Sequence, residues 1–147
     1  MASKAFRCRV VTPAARILDE DAVYASIPAW DGGIGIMVDR AALLTRLGAG
    51  ELRVDFADSA AGKGGSRSYI IEGGFAQMVS NRLTILAEKA VPVESIAVSE
   101  AEAELRTAEG KTIAADAADR TAKVTALNAE KNFARLKIKA AKQAKGI

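Results

Sequence analysis

The periodicity of the chain changes at Pro92, and that change constrains the fold more than any other feature. Before it, apolar residues recur at every second position. "FRCRV" alternates Phe6, Cys8 and Val10 with Arg7 and Arg9, "AVYASI" alternates Val23, Ala25 and Ile27 with Tyr24 and Ser26, and "ELRVDF" alternates Leu52, Val54 and Phe56 with Glu51, Arg53 and Asp55. Period two with one polar face is the pattern of antiparallel strands with one side in water. "SYIIEGGFAQMVSNRLTILAEKA" adds further strands, with Ser80-Asn81 as a tight turn between Met78-Val79 and Leu83–Leu86. Turn residues recur every ~8–12 positions, the spacing of a sandwich or barrel.

After Pro92 alanine and charge take over. Ser99 followed by Glu102 fits a capping box, which predicts a helix from about residue 99. Gly110 or the stretch "ADAADRT" (115–121) ends it, and a second helix runs to about Ala144. In that helix Ala122, Ala126, Ala129, Phe133, Leu136 and Ala140 recur at three and four residues as one narrow seam. Arg120, Lys131, Arg135 and Lys142 fall within a ~60° sector on the opposite side. The chain thus divides into an all-β domain, residues 1–92, and a helical domain, residues 93–147.

Charge follows the same division. Residues 1–92 carry 11 basic and 10 acidic side chains, residues 94–119 carry 7 acidic and 2 basic, and residues 120–147 carry 8 basic and only Glu130 on the acidic side. An acidic helix followed by a basic one suits an antiparallel hairpin. Its alanine seam buries little apolar area, so the hairpin is expected to dock weakly and to be able to leave its resting place.

Several functions are excluded or disfavoured. Histidine is absent, which removes the Ser-His-Asp and Cys-His triads and the histidine zinc sites, and a single cysteine cannot build a Cys-only one. Cys8 lies on the apolar side of its strand and reads as a buried thiol rather than a nucleophile. Glu72 and Glu88 form no catalytic pair. Neither "GGIGIMV" nor "GKGGS" (62–66) leads into a helix, so neither is a phosphate cradle. Gly32 and Gly33 instead supply positive-φ positions in a hairpin. No run of about 18 apolar residues spans a bilayer, and "MASKAFRCRVV" lacks a signal-peptide apolar region, so a cytoplasmic protein is expected.

Two ordered stretches resemble the epsilon subunit of F-type ATP synthase. "GGIGIMVDRAALLTRLGAGEL" follows "RVVTP", and "YIIEGGFAQMVSNRLTILAEKA" matches the family's Gly-Gly-Phe, Asn and Val-Thr-Ile-Leu-Ala-Glu run before a helical tail. The resemblance implies a β-sandwich of about ten short strands followed by a two-helix antiparallel hairpin. It implies a non-catalytic rotor role without a cofactor: the sandwich clamps the gamma subunit to the c-ring, and the hairpin restrains ATP hydrolysis at the catalytic head. The subunit would lie at the cytoplasmic face of the inner membrane, held there only through the complex.

The resemblance puts Trp30, Asp31, Gly32, Gly33, Asp39, Arg40 and Ala41 against the c-ring or gamma. Trp30 reads equally as a strand-end aromatic or as an anchor for a partner. Arg40 and Ala42 replace the family's histidine and proline. Where some members bind ATP through Asp-x-x-Arg-Ala, this chain has Ser99-Glu100-Ala101-Glu102-Ala103, and Glu102 in place of the arginine would repel a triphosphate. Weak or absent ATP binding is therefore expected.

The basic face Arg120, Lys131, Arg135 and Lys142 has two readings, a solvated helix back or a surface attracted to acidic loops of the catalytic head. The alternatives to a rotor subunit are a nucleic-acid binder using its basic helix and a small carboxylate-dependent hydrolase. The acidic first helix and the 5% aromatic content oppose the first, and no paired-acid motif supports the second.

Overall fold

A computed structural model describes residues 5–58, 64–116 and 118–145. The glycine-rich stretch anticipated as a hairpin loop at 58–66 has its centre, 59–63, outside the described residues. The chain divides into two compact units, Met1–Pro92 and Val93–Ile147.

The first unit is built from seven strands: β1 (Phe6–Val11), β2 (Arg16–Ala29), β3 (Gly32–Met37), β4 (Leu43–Arg46), β5 (Ala49–Phe56), β6 (Ser66–Val79) and β7 (Arg82–Pro92). The alternation read from β1 holds, with Phe6, Cys8 and Val10 buried and Arg7 and Arg9 outward. Three strands are long enough to serve two sheets. β2 pairs with β1 through residues 16–22 and with β3 through 24–29. β6 pairs with β5 up to Glu72 and with β4 from Phe75, while β7 accompanies β6 throughout and takes β1 as its parallel neighbour over Arg82–Leu86. The expected ten short strands therefore become seven, with β2, β6 and β7 counted once in each sheet. Because β1 joins both β2 and β7, the order β1-β7-β6-β5-β2 closes on itself. The two sheets face each other across one core that includes Leu18, Ile27, Ile36, Leu52, Ile71, Met78, Leu83 and Ile85. Burying each such large side chain contributes roughly 1.5–3 kcal/mol.

Two joints carry the long strands from sheet to sheet. In β2 the register shifts between Ala22 and Tyr24, so Ala22 and Ala25 both point inward. Val23, expected in the core by simple alternation, is the bulged residue and is partly exposed. In β6 the joint is Gly73-Gly74, with φ of +69° and +100°. A Cβ on Gly74 would lie 1.8 Å from the carbonyl oxygen of Leu86, so only glycine fits.

The second unit holds a short 3-10 turn (Val93–Ser95) and two helices, α1 (Val98–Glu109) and α2 (Arg120–Ala144). Gly110 is the residue that ends α1. The capping box does not form. The helix starts one residue before Ser99, its N-cap is Ala97, and no side chain bonds to the free amides. The seam in α2 is also shifted. Phe133, Ala134, Ala140 and Ala141 are buried with Ala101 and Ala108 of α1, whereas Ala122 and Ala126 are exposed. The reason is length: α1 has 12 residues against 25, so the first turns of α2 have no α1 residue opposite them.

Candidate functional site

The β2–β3 hairpin turns on two residues, Trp30 and Asp31, closed by the pair Ala29 and Gly32. Gly32 takes the positive φ (+135°). Gly33, expected to share that role, is ordinary strand paired with Pro28, because one glycine after the turn suffices to restore the strand twist. Trp30 is 62% exposed. The Arg46 guanidinium lies 5.8 Å from its ring centre, and the Trp30 backbone amide donates to the Arg46 carbonyl at 2.9 Å. The tip is thereby tied to the end of β4.

Asp39, Arg40 and Ala41 lie past the far end of β3. Asp39 sits at φ +63°, and its amide donates to Asn81 Oδ1 at 2.7 Å. Arg40 donates to the Ala41 carbonyl at 3.2 Å. Five residue steps along β3 separate the two groups, ~17 Å at strand rise. The residues grouped as one stalk contact thus form two patches at opposite ends of a strand.

Sequence reasoning missed the surface that runs across β4, β6, β7, β1 and β2. Register arranges its outward side chains in three rows. One row is Arg46, Phe75, Leu86 and Val11. The next is Leu44, Gln77, Thr84, Arg9 and Asp19. The third is Val79, Arg82, Arg7 and Asp21. Leu44 is 71% exposed, Phe75 53% and Leu86 51%. Large apolar groups left in water on one sheet face mark an interaction surface. A signal was present in the sequence: the Phe75–Leu86 stretch has apolar residues at both odd and even positions, which describes a strand covered on both sides.

The arginine side of this face is an ion-pair network. Asp19 accepts from Arg7 Nε at 2.7 Å and lies 3.7 Å from Arg9 and 3.4 Å from Arg16, and Asp21 lies 3.4 Å from Arg7. The Arg7 hydrogen bond holds the Asp19 carboxyl below its ordinary range, and Asp19 in turn raises Arg7. A groove of about 410 Å³ is lined by Arg7, Arg9, Asp19, Arg82, Leu83 and Thr84. Arg82 has no ion pair among the described residues. On the opposite side of β1, Cys8 is buried, and burial pushes its thiol up to about 12, so it stays protonated and unreactive. Among the described residues no three acidic, cysteine or histidine side chains are placed to hold a metal ion.

In the helical unit, charge is paired across the hairpin. Lys142 meets Glu102 at 3.6 Å, Lys137 meets Glu104, Arg135 meets Glu109 at 3.7 Å, and Lys111 meets Glu130 at 3.0 Å. The paired numbers sum to nearly the same value each time, as an antiparallel arrangement requires. Of the four residues assigned to a basic face, Arg135 and Lys142 therefore point toward α1. Arg120 and Lys131 have no ion pair among the described residues. The stretch Ser99–Ala103 forms the first turns of α1, and its Glu102 is the partner of Lys142.

A small β-sandwich with glycine-jointed strands and an open apolar and basic face, followed by a charged helical hairpin, defines the class of protein to which the chain is to be compared. The family profile described as "ATP synthase, Delta/Epsilon chain, beta-sandwich domain" matches residues 5–93, and the chain belongs to that family, among its epsilon chains. It is similar to the ATP synthase epsilon chain of Rhodopirellula baltica, with 36% identity over 65% of this chain and 70% of the relative. It is also similar to that of Pelotomaculum thermopropionicum, at 32% identity over 74% and 77%. Among solved structures, a chain of the Euglena gracilis mitochondrial ATP synthase assembly of OSCP, F1 and c-ring matches 92% of this chain and 84% of its own length. Its TM-score is 0.70 at 25% identity. A chain of the Tetrahymena thermophila central stalk and c-ring, at 18% identity and TM-score 0.61, shares the fold.

No helix among the described residues is long and apolar enough to cross a membrane.

Proposed function

We propose that the chain is a rotor subunit of the central stalk in a proton-translocating ATP synthase. Residues 1–92 act as the rotor clamp between gamma and the c-ring, and residues 93–147 as the regulatory hairpin that restrains ATP hydrolysis. The observation that carries this reading is the exposed apolar patch of Leu44, Phe75 and Leu86, spread over two neighbouring rows on a closed, two-sheet support. A rigid face of this kind can grip a shaft without moving itself. The chain supplies positioning and no chemistry, and it reaches the cytoplasmic face of the membrane through the complex.

The two ends of β3 offer further contacts. Trp30 and Asp31 at one end, with Gly32 and Gly33, and Asp39, Arg40 and Ala41 at the other, serve as contacts to the c-ring or gamma. In the hairpin, Arg120 and Lys131 are available to acidic loops of the catalytic head, and Arg135 and Lys142 become so when their α1 partners let go. Glu102, paired with Lys142, puts an acid where an arginine would be needed to hold a triphosphate, so ATP binding is weak or absent.

The test is co-purification with gamma and the c-ring, followed by ATPase assay with and without residues 93–147. Assembly that survives the truncation, with a rise in ATPase activity, supports both halves of the reading. Failure to assemble refutes the clamp, and unchanged activity refutes the regulatory tail.

A further inference from the structure

The arginine groove lies on the same face as the apolar row and is not explained by that row. Three cations, Arg7, Arg9 and Arg16, share two carboxylates, Asp19 and Asp21, and a fourth, Arg82, stands beside them. Two positive charges are left over, and Arg82 is the one with no counterion among the described residues.

Register fixes how close the two chemistries are. Val79 stands directly opposite Arg82, and Arg82 opposite Arg7. Directly opposed side chains on neighbouring strands have Cβ atoms roughly 4.5–5.5 Å apart. On β7 itself, Arg82, Thr84 and Leu86 alternate outward at two-residue intervals of ~7 Å. A partner that covers Phe75, Leu86 and Val79 therefore also takes water away from Arg82 and Arg9. Desolvating an unpaired guanidinium is costly, so a stable cover must bring acceptors with it. Guanidinium geometry favours a carboxylate, which it can hold by two parallel hydrogen bonds.

We propose that the groove between Arg9 and Arg82 receives a carboxylate side chain from the gamma subunit, carried on an amphipathic segment whose apolar side packs on Phe75 and Leu86. This deepens the rotor-clamp reading and rests on it. The groove is open and continuous with the apolar rows, which suits a segment of a protein rather than a free small anion. Asp19 stays with Arg7 in this arrangement, and the incoming carboxylate takes the vacant side of Arg82.

The experiment measures affinity of the full-length chain for the purified gamma subunit, from low to physiological salt. It compares wild type with Arg82→Gln, Arg82→Glu and Arg53→Gln. Arg53 lies on β5, bonded to Asp55 at 3.1 Å, and controls for general loss of charge. Circular dichroism and melting confirm that each variant is folded. The proposal expects Arg82→Gln to weaken binding about tenfold and Arg82→Glu by more, both with a flatter salt dependence, and Arg53→Gln to match wild type. Arg82 variants that bind like wild type overturn it, as does an equal loss in Arg53→Gln. A wild-type chain that fails to bind gamma overturns the rotor-clamp reading instead.

Discussion

Asn81 and Asp39, 42 residues apart, hold each other by two reciprocal hydrogen bonds. The Asp39 amide donates to Asn81 Oδ1 at 2.7 Å, and Asn81 Nδ2 donates to Asp39 Oδ1 at 2.8 Å. Both residues sit at positive φ, as does Ser80. The Asn81 carbonyl also accepts from the Arg7 amide at 2.8 Å, so one turn residue joins β1, the β6–β7 hairpin and the exit of β3. It fixes where Arg40 and Ala41 are presented.

Asn81→Gly keeps the turn conformation and removes the side chain. It is expected to lower stability by about 1–2 kcal/mol for the two lost bonds. Asn81→Ala adds a left-handed backbone cost of roughly 1 kcal/mol. Urea denaturation of the two variants checks both the size and the order.

Gly74→Ala should be far more damaging than any surface change, because its Cβ meets the Leu86 carbonyl at 1.8 Å. A loss of at least ~3 kcal/mol, or no folded protein at all, is the expected outcome. A melting temperature close to wild type would show that β6 crosses between sheets in another way.

Asp19→Asn tests the arginine network through pH. The folded Asp19 pKa is depressed, chiefly by the hydrogen bond from Arg7. Its stabilisation is therefore complete above the ordinary carboxylate range and disappears as pH falls through the lowered value. Urea midpoints measured from about pH 7 down to about pH 2 should show wild type above Asp19→Asn at neutral pH and the two converging at the acid end. A constant gap would place the effect in packing rather than in charge.

The hairpin ladder predicts salt-sensitive helix pairing. Replacing Glu102, Glu104 and Glu109 together by Gln removes three of its cross-helix pairs. Each exposed pair contributes roughly 0–1 kcal/mol, so the triple variant should open the helical unit more readily at low salt. Near 1 M salt, where screening acts within about 3 Å, it should match wild type. Hydrogen exchange of α1 amides at the two salt concentrations reads this directly.

How much of this was legible from sequence depends on which interaction decides each residue. Burial decides Phe6, Cys8, Val10, Leu52 and Val54, and period two found them. Val23 was misplaced because a bulge adds a residue without any composition signal. Ser99 looked like a cap, but the chain entering from Val93 and Ile96, both buried, is capped earlier, at Ala97, and the helix starts at Val98. The acidic and basic helices were evident from charge, yet which cations face α1 depends on the rotation of α2 and the short length of α1. Trp30 and Arg40 are near in sequence, but the extended residues of β3 between them hold them apart. The apolar face escaped notice because exposed Phe75 and Leu86 alternate with equally apolar core residues.

Leu44, Phe75 and Leu86 form the exposed apolar patch through which, in the proposed function, the chain holds the stalk. The most direct measurement is the affinity of full-length Phe75→Ser/Leu86→Ser for gamma beside that of wild type. Both side chains are largely exposed, so the fold should persist. The expected loss is about 100-fold, the scale of two buried apolar anchors removed from an interface. Undiminished affinity in a correctly folded double variant would contradict it.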